Sequence, residues 1–382
     1  MAAMRRSGLG CSEGALTAAA LAGLVFGAAL LGCATPPSEK LRVPNTGAEV
    51  PPEVTYWRGN FKASDGLELY EQGWRPSERA RAVFVFLHGL KDHSSRYRDL
   101  GIQLAHRGIA VYVIDMRGHG YSEGVRGHID SLENALADFD LLIGRAKDRH
   151  AGAPLFVGGQ GFGADLAALW AAHNAPPPPP DPNVPSDANR PPSPKPLLTG
   201  LVLVAPVLRG EVKGGERLGT RAAATFAPQV HSLELNLADW SSDPAAVADL
   251  KSDPLIYEGQ PTASTARELL RASDDLQATS GRLTMPVLIL FGGADTVASL
   301  EVAKAFHEKL GATDKTIQVY DGLRHDLFHE RERKQVTAEM LTWLNTHANL
   351  PPEPVAEAAP APSAAAKTAN KKPAKTSKKP AK

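Results

Sequence analysis

Five residues near the middle of the chain, Gly159-Gln160-Gly161-Phe162-Gly163, constrain the fold more than any other stretch. They follow the short apolar run Pro154-Leu155-Phe156-Val157 and lead into the helical pattern Asp165-Leu166-Ala167-Ala168-Leu169-Trp170. A strand that turns at once into a helix needs a corner residue in left-handed or otherwise forbidden backbone geometry, and glycine adopts it without Cβ strain. Gly161 is placed to be that corner.

Short, nearly continuous apolar runs recur along the chain: Ala82 to Leu87, Ala110 to Ile114, Leu155 to Val157, Leu201 to Val204, Val287 to Phe291 and Thr316 to Tyr320. Between most of them lie helical stretches such as Tyr97 to Ala105, Leu132 to Ala146 and Val302 to Leu310. Strands buried on both faces and alternating with helices imply a mostly parallel sheet in a three-layer α/β domain. Before them, Val54 to Phe61 and Leu67 to Trp74 flank Ser64-Asp65-Gly66 and read as an opening hairpin. Two segments interrupt the alternation. Residues 176–196 form a Pro-rich insert that suits neither helix nor strand and is expected as a surface excursion. Residues from about 208 to 281 are richer in polar and helical signals and are expected to form a cap over the carboxyl edge of the sheet, where ligands of such folds bind. In that setting the corner has the context of a nucleophile elbow, G-x-S-x-G, with glycine at its centre.

The ends of the chain differ from its middle. Of 382 residues, with 42 basic and 42 acidic side chains, residues 53–349 have the material for one large core. Ahead of them, Arg5 and Arg6 precede an apolar run from Ala15 to Leu31 that closes on Leu30-Leu31-Gly32-Cys33. This resembles a bacterial lipobox, so residues 1–33 are expected to be a lipoprotein signal peptide, with Cys33 acylated. An ordinary secretory signal cleaved elsewhere is the alternative. Lipidation at Cys33 implies a membrane anchor in the bacterial cell envelope, facing outside the cytoplasm. Cys11 lies in the segment that would be removed, which leaves no thiol pair for a disulfide or a Cys-based metal site. Neither a metal nor a cofactor is expected. Residues 34–52 read as a linker, and residues 350–382 as a disordered tail of Pro, Ala, Lys and Glu. Seven lysines against two glutamates make that tail basic. It is either simply solvated or attracted to an anionic envelope polymer or surface. No specific nucleic acid is expected.

The motifs ahead of the corner carry a family resemblance. His88-Gly89-Leu90, then His93-Ser94-Ser95-Arg96-Tyr97, then Asp115-Met116-Arg117-Gly118-His119-Gly120-Tyr121-Ser122-Glu123-Gly124 resemble the monoacylglycerol lipase and lysophospholipase branch of the α/β hydrolases, also grouped with serine aminopeptidases. The resemblance runs from about Tyr56 to Leu344 and includes Asp243-Pro244, Ser252 to Tyr257 and Thr265 to Leu270. It implies an α/β-hydrolase fold, with a mostly parallel central sheet flanked by helices and a cap inserted before the last two strands. It also implies a small acyl ester or lipid as ligand. Carried over by position, the family's nucleophile falls on Gly161, its triad acid on Asp295 and its base on His325, in the family's chain order. The oxyanion donors would be the backbone N–H groups of Leu90 and Phe162.

The departures cluster round the corner. No other G-x-S-x-G occurs, Gln160 stands where the family has His, Ala164 where it has Gly, and Lys91-Asp92 where it has Gly-Glu. Each site residue also has an ordinary role open to it. Asp295 could cap a helix beginning near Ser299, His325 could be a hydrogen-bonded structural histidine, and Gly161 suits any tight corner. Three readings follow. The first is a membrane-anchored lipase-like pseudoenzyme or severely impaired esterase. The second is an active carboxylic-ester hydrolase using His325-activated water or another nucleophile. The third is a non-catalytic envelope binding protein.

Overall fold

The apolar runs from Ala82 to Phe291 form strands because both faces of each are covered, whereas the run Thr316 to Tyr320 lies in a partly exposed edge strand. In the computed structural model, which describes residues 50–176, 198–210, 212 and 214–349, β1 (Val54–Lys62) and β2 (Glu68–Pro76) make an antiparallel hairpin. They are followed by β3 (Ala82–Leu87), β4 (Ile109–Ile114), β5 (Leu155–Gln160), β6 (Gly200–Val204), β7 (Val287–Gly292) and β8 (Lys315–Tyr320). The eight strands form one sheet in the order β1-β2-β4-β3-β5-β6-β7-β8, antiparallel at β1-β2-β4 and parallel from β4 onward. The lipobox with Cys33, most of the linker and of the Pro-rich insert, and the basic tail lie outside the described residues.

Alternation along the strands sends side chains into two cores. Val83, Val85 and Leu87 face one side with α2 (Leu132–Arg149), while Ala82, Phe84 and Phe86 face the other with α1 (Arg98–His106) and the final α8 (Arg333–His347). Beside α2 on the same face of the sheet runs α3 (Phe162–His173), whose residues Phe162 to Ala172 are all buried. An all-round apolar helix is stable only in such a position.

The strand order reverses direction at β3. The chain passes from β3 outward to β4, then returns to lay β5 on the other side, with Leu87 paired to Gly159. Ligands of open α/β sheets bind at this kind of switch point. The loop carrying Leu90 and the corner at Gly161 leave the sheet from these two adjacent strands.

Between β6 and β7 lie α4 (Gly214–Phe226), α5 (Pro244–Ser252) and α6 (Ala263–Thr279). The segment expected as cap divides in two. Its last helix returns to the body of the domain, where Leu269, Ala272 and Leu276 join the main core beside α3. The part before it stands over the carboxyl ends of the strands with a small core of its own, Leu237, Trp240, Leu250 and Ile256.

Candidate active site

β5 is longer than its apolar run, continuing through Gly158 and Gly159 to Gln160. Those glycines are required by close approach as well as by the turn. A Cβ on Gly158 would lie 2.4 Å from the Val202 carbonyl oxygen, and one on Gly159 would lie 2.3 Å from the Gly163 backbone. Gly161 then turns the chain at φ 57 and ψ −126, its N–H donating to the Val204 carbonyl at 2.9 Å. A Cβ built on Gly161 points at His325, 3.2 Å from Nε2. The Cα–Cβ direction at the corner therefore points at an imidazole.

His325 follows β8 and Asp295 follows β7. The His325 Nδ1–H donates to Asp295 Oδ2 at 2.8 Å, with both side chains almost wholly buried. Asp295 Oδ1 accepts from the N–H groups of Val297 and Ala298 at 2.7 and 3.0 Å. One oxygen thus orders the turn and the other orients the histidine. The cap of α7 (Leu300–Lys309) is Ser299, whose side chain accepts from Val302 N–H. Since Asp295 fixes Nδ1, the free ring nitrogen facing the corner is Nε2.

The N–H groups of Leu90 and Phe162 have no acceptor among the described residues. Phe162 is the first residue of α3, so its amide belongs to the unsatisfied helix start. Both residues line a cavity of ≈ 30 Å3 together with Gly161, His325 and the apolar side chains Leu233, Leu235 and Trp240 from the cap side. That volume holds about one or two water molecules. Arg209 lines the same cavity. A larger space of ≈ 280 Å3 opens at the opposite, amino-terminal ends of β6 and β7, far from these groups in the fold. Among the described residues no cluster of His, Cys, Asp or Glu could hold a metal, and no helix is long and apolar enough to cross a membrane.

Beneath the cavity is a buried polar network that no sequence motif announces. Arg96 bridges Asp92 (3.0 Å) and Asp326, Tyr97 Oη donates to Asp92 at 2.8 Å, and His329 Nδ1 donates to Asp326 at 2.7 Å. Gln160 Nε2 donates to the same Asp326 at 3.1 Å. Burial alone would raise both carboxyls, but Arg96, helped by His88 at Asp92 and by His329 at Asp326, holds both below the usual carboxylate range. The loop after β3, the corner after β5 and the loop after β8 are thereby locked together. Asp115 adds to this by accepting from the backbone N–H of Ser94 and Tyr121 at 2.6 and 2.7 Å.

The cap is tied to the same loops. Lys91, at φ 67 and almost fully buried, donates from Nζ to the carbonyls of Leu235 and Glu258 at 2.8 and 3.5 Å, and burial lowers its pKa. The Asp326 N–H donates to the Trp240 carbonyl at 2.7 Å, and the Trp240 ring stands edge-on to His325 at 6.1 Å. Buried Glu330 accepts from Ser241, Ser242 and the Arg324 N–H at 2.7 to 3.0 Å. These pairs lie far apart in sequence, and nothing local announces them. Lys91, one of the departures from the family pattern, is thus a strut between the loop after β3 and the cap.

Residues 78–182 and 188–332 match the family model described as serine aminopeptidase, S33. The chain belongs to this family. Among S33-like relatives, it is 27% identical over 288 residues to a monoacylglycerol lipase of Mycolicibacterium smegmatis, spanning 75% of this chain and 96% of that protein. It is 27% identical to the monoglyceride lipase of Rattus norvegicus, over 74% of this chain and 87% of the relative. The crystal structure of the Paleococcus ferrophilus monoacylglycerol lipase superposes with a TM-score of 0.60 at 24% identity, covering 77% of this chain and 99% of that one. The chain is a monoacylglycerol lipase-like member of the S33 family with the α/β-hydrolase fold.

Proposed function

We propose that this S33-family protein binds an acyl ester or a related lipid beneath its cap but lacks the serine acyl-enzyme route of its relatives. In such a route His takes the proton of a serine hydroxyl, Asp orients the His, and backbone amides hold the oxyanion. Asp295, His325 and the amides of Leu90 and Phe162 stand ready for the last two tasks and for accepting a proton. The supporting observation is the corner itself: the Cβ direction of Gly161 meets His325 Nε2 at 3.2 Å, and no hydroxyl occupies it. The assignment of Gly161 to the nucleophile position rests on this direction and on the chain order of the three residues.

A fluorophosphonate probe tests the reading. The full chain should stay unlabelled, and Gly161→Ser should label with loss of its restored turnover. Labelling of the wild type at any residue, with matching esterase activity, would overturn it.

A second reading has one observation in its favour, the space for a water beside His325. Water there could attack an ester carbonyl while Nε2 takes its proton and later returns it to the leaving alkoxide, giving an acid and an alcohol. The oxyanion hole and binding alone leave roughly 10³ to 10⁴-fold over uncatalysed hydrolysis when a triad member is missing. The water route predicts turnover above that floor, and the excess should disappear in His325→Ala.

The proposal extends to location, with the protein in the bacterial cell envelope and held there by an acyl group on Cys33. Metabolic labelling with a palmitate analogue should mark the wild type and leave Cys33→Ser unmarked. Equal labelling of both would remove the anchor from the proposal.

A further inference from the structure

The polar groups that face the cavity are the amides of Leu90 and Phe162, His325 and Arg209, set among apolar side chains. The amides of Leu90 and Phe162 lack acceptors among the described residues, and Phe162 opens the twelve-residue helix α3, whose dipole favours negative charge at this end. His325 is 5% exposed, its Nδ1 faces Asp295, and its Nε2 has no partner among the described residues. Arg209 lines the wall and makes no ion pair among the described residues.

The acids nearby do not cancel this. Both oxygens of Asp295 are committed to His325 and to the turn. Asp165, one turn along α3, is fully buried, and burial pushes its carboxyl well above the usual range against weaker pulls from the Val207 backbone and Arg209. A neutral ester offers one carbonyl oxygen to two amides and leaves the imidazole without a partner. A carboxylate offers two oxygens and a charge. In a serine enzyme the hydroxyl would stand between imidazole and ligand, whereas at Gly161 nothing does.

Resting on the proposed loss of the acyl-enzyme route, we infer that the site is selective for the carboxylate of an aliphatic monocarboxylic acid, with one oxygen on the Leu90 and Phe162 amides and the other on His325. The apolar side chains Leu233, Leu235 and Trp240 face the start of the alkyl chain. Because the cavity is only ≈ 30 Å3 and partly open, the rest of a longer alkyl chain lies beyond it. The ligand is the acid half of an ester, taken up without covalent chemistry. Charge-assisted hydrogen bonds supply the discrimination.

Calorimetric titration of the full chain with decanoate, decanol and methyl decanoate, each below its micelle concentration, tests this. Decanoate should bind at least about tenfold more tightly than the alcohol or the ester, and His325→Gln should weaken decanoate about ten- to hundredfold with little change for decanol. Arg209→Gln should weaken decanoate by a few-fold, with the effect fading in high salt. The carboxyl resonance of carbonyl-labelled decanoate, followed by NMR, reads binding on the wild type alone and so does not depend on a variant that folds. It should shift on binding and return when excess unlabelled decanoate is added.

Equal affinity for acid and alcohol, or no binding of decanoate, would overturn the inference. In either case an esterase gain in Gly161→Ser would leave the proposed loss of the acyl-enzyme route standing. Selective decanoate binding together with strong wild-type esterase activity would instead remove that route's loss and, with it, the basis of this inference.

Discussion

The corner after β5 and the pair after β7 and β8 face each other across a single cavity, yet they differ in what they retain. At Asp295 and His325 every contact needed to orient an imidazole is present, down to two amide hydrogen bonds on the acid. At Gly161 the backbone turns at φ 57 and ψ −126 with no side chain to reach the cavity. The difference shows that the corner's geometry is held by packing and not by chemistry. Gly158, Gly159 and Gly163 admit strand and backbone neighbours closer than any Cβ would allow, and Gly161 N–H is taken by Val204. A corner held in this way does not depend on a side chain at its central residue.

Breaking the link between the two regions should have the larger effect on stability. Arg96 neutralises Asp92 and Asp326 under the corner. Arg96→Met would leave two buried carboxylates without the guanidinium they share, at a cost of about 3–5 kcal/mol in denaturant unfolding at pH 7. Both folded carboxyls lie below the usual range, so the stability they confer is present above their unfolded pKa of about 3.9 and is lost as pH falls through their folded values. The gap between wild type and variant should therefore narrow in acid. A gap that stayed constant, or was absent at pH 7, would show that the network does not hold the corner.

Asp165 sharpens the comparison from the corner's side with a smaller effect of opposite sign. Its folded pKa is raised, so the folded chain keeps a proton that the unfolded chain releases above about pH 4. Wild-type stability should then fall with rising pH over this window by up to about 1.4 kcal/mol per pH unit from this group. Asp165→Asn should remove that slope and gain on the wild type as pH rises. Parallel curves would mean that the Asp165 carboxyl has found a partner in solution.

What could be read in the sequence follows from what is local. The strands were legible because residues such as Val83 to Leu87 are apolar on both faces, while Asp295 and His325 were singled out by the family resemblance and its chain order. The continuation of β5 through Gly158 and Gly159 was not, since glycines selected for close approach look like turn residues. Nor was the double service of Asp295, whose two oxygens answer to a turn and to a residue thirty positions away. The struts from Lys91 to Leu235 and from Glu330 to Ser241 and Ser242 join segments separated by whole elements, and neither propensity nor periodicity carries that information. The cap's division was hidden for a related reason. Helix α6 is amphipathic like a surface helix, and only the sheet layer beside α3 determines that its apolar face lies in the main core.

The most direct measurement is ester turnover by Gly161→Ser, read against the wild type and against Gly161→Ser with His325→Ala. A serine there places its Cβ 3.2 Å from Nε2, which requires His325 to yield by a few tenths of an ångström. Restoring the hydroxyl should raise turnover of a short-chain nitrophenyl ester on the order of 10³-fold or more, and removing His325 should abolish the gain. A wild type already as active as the serine variant would contradict the account at its centre.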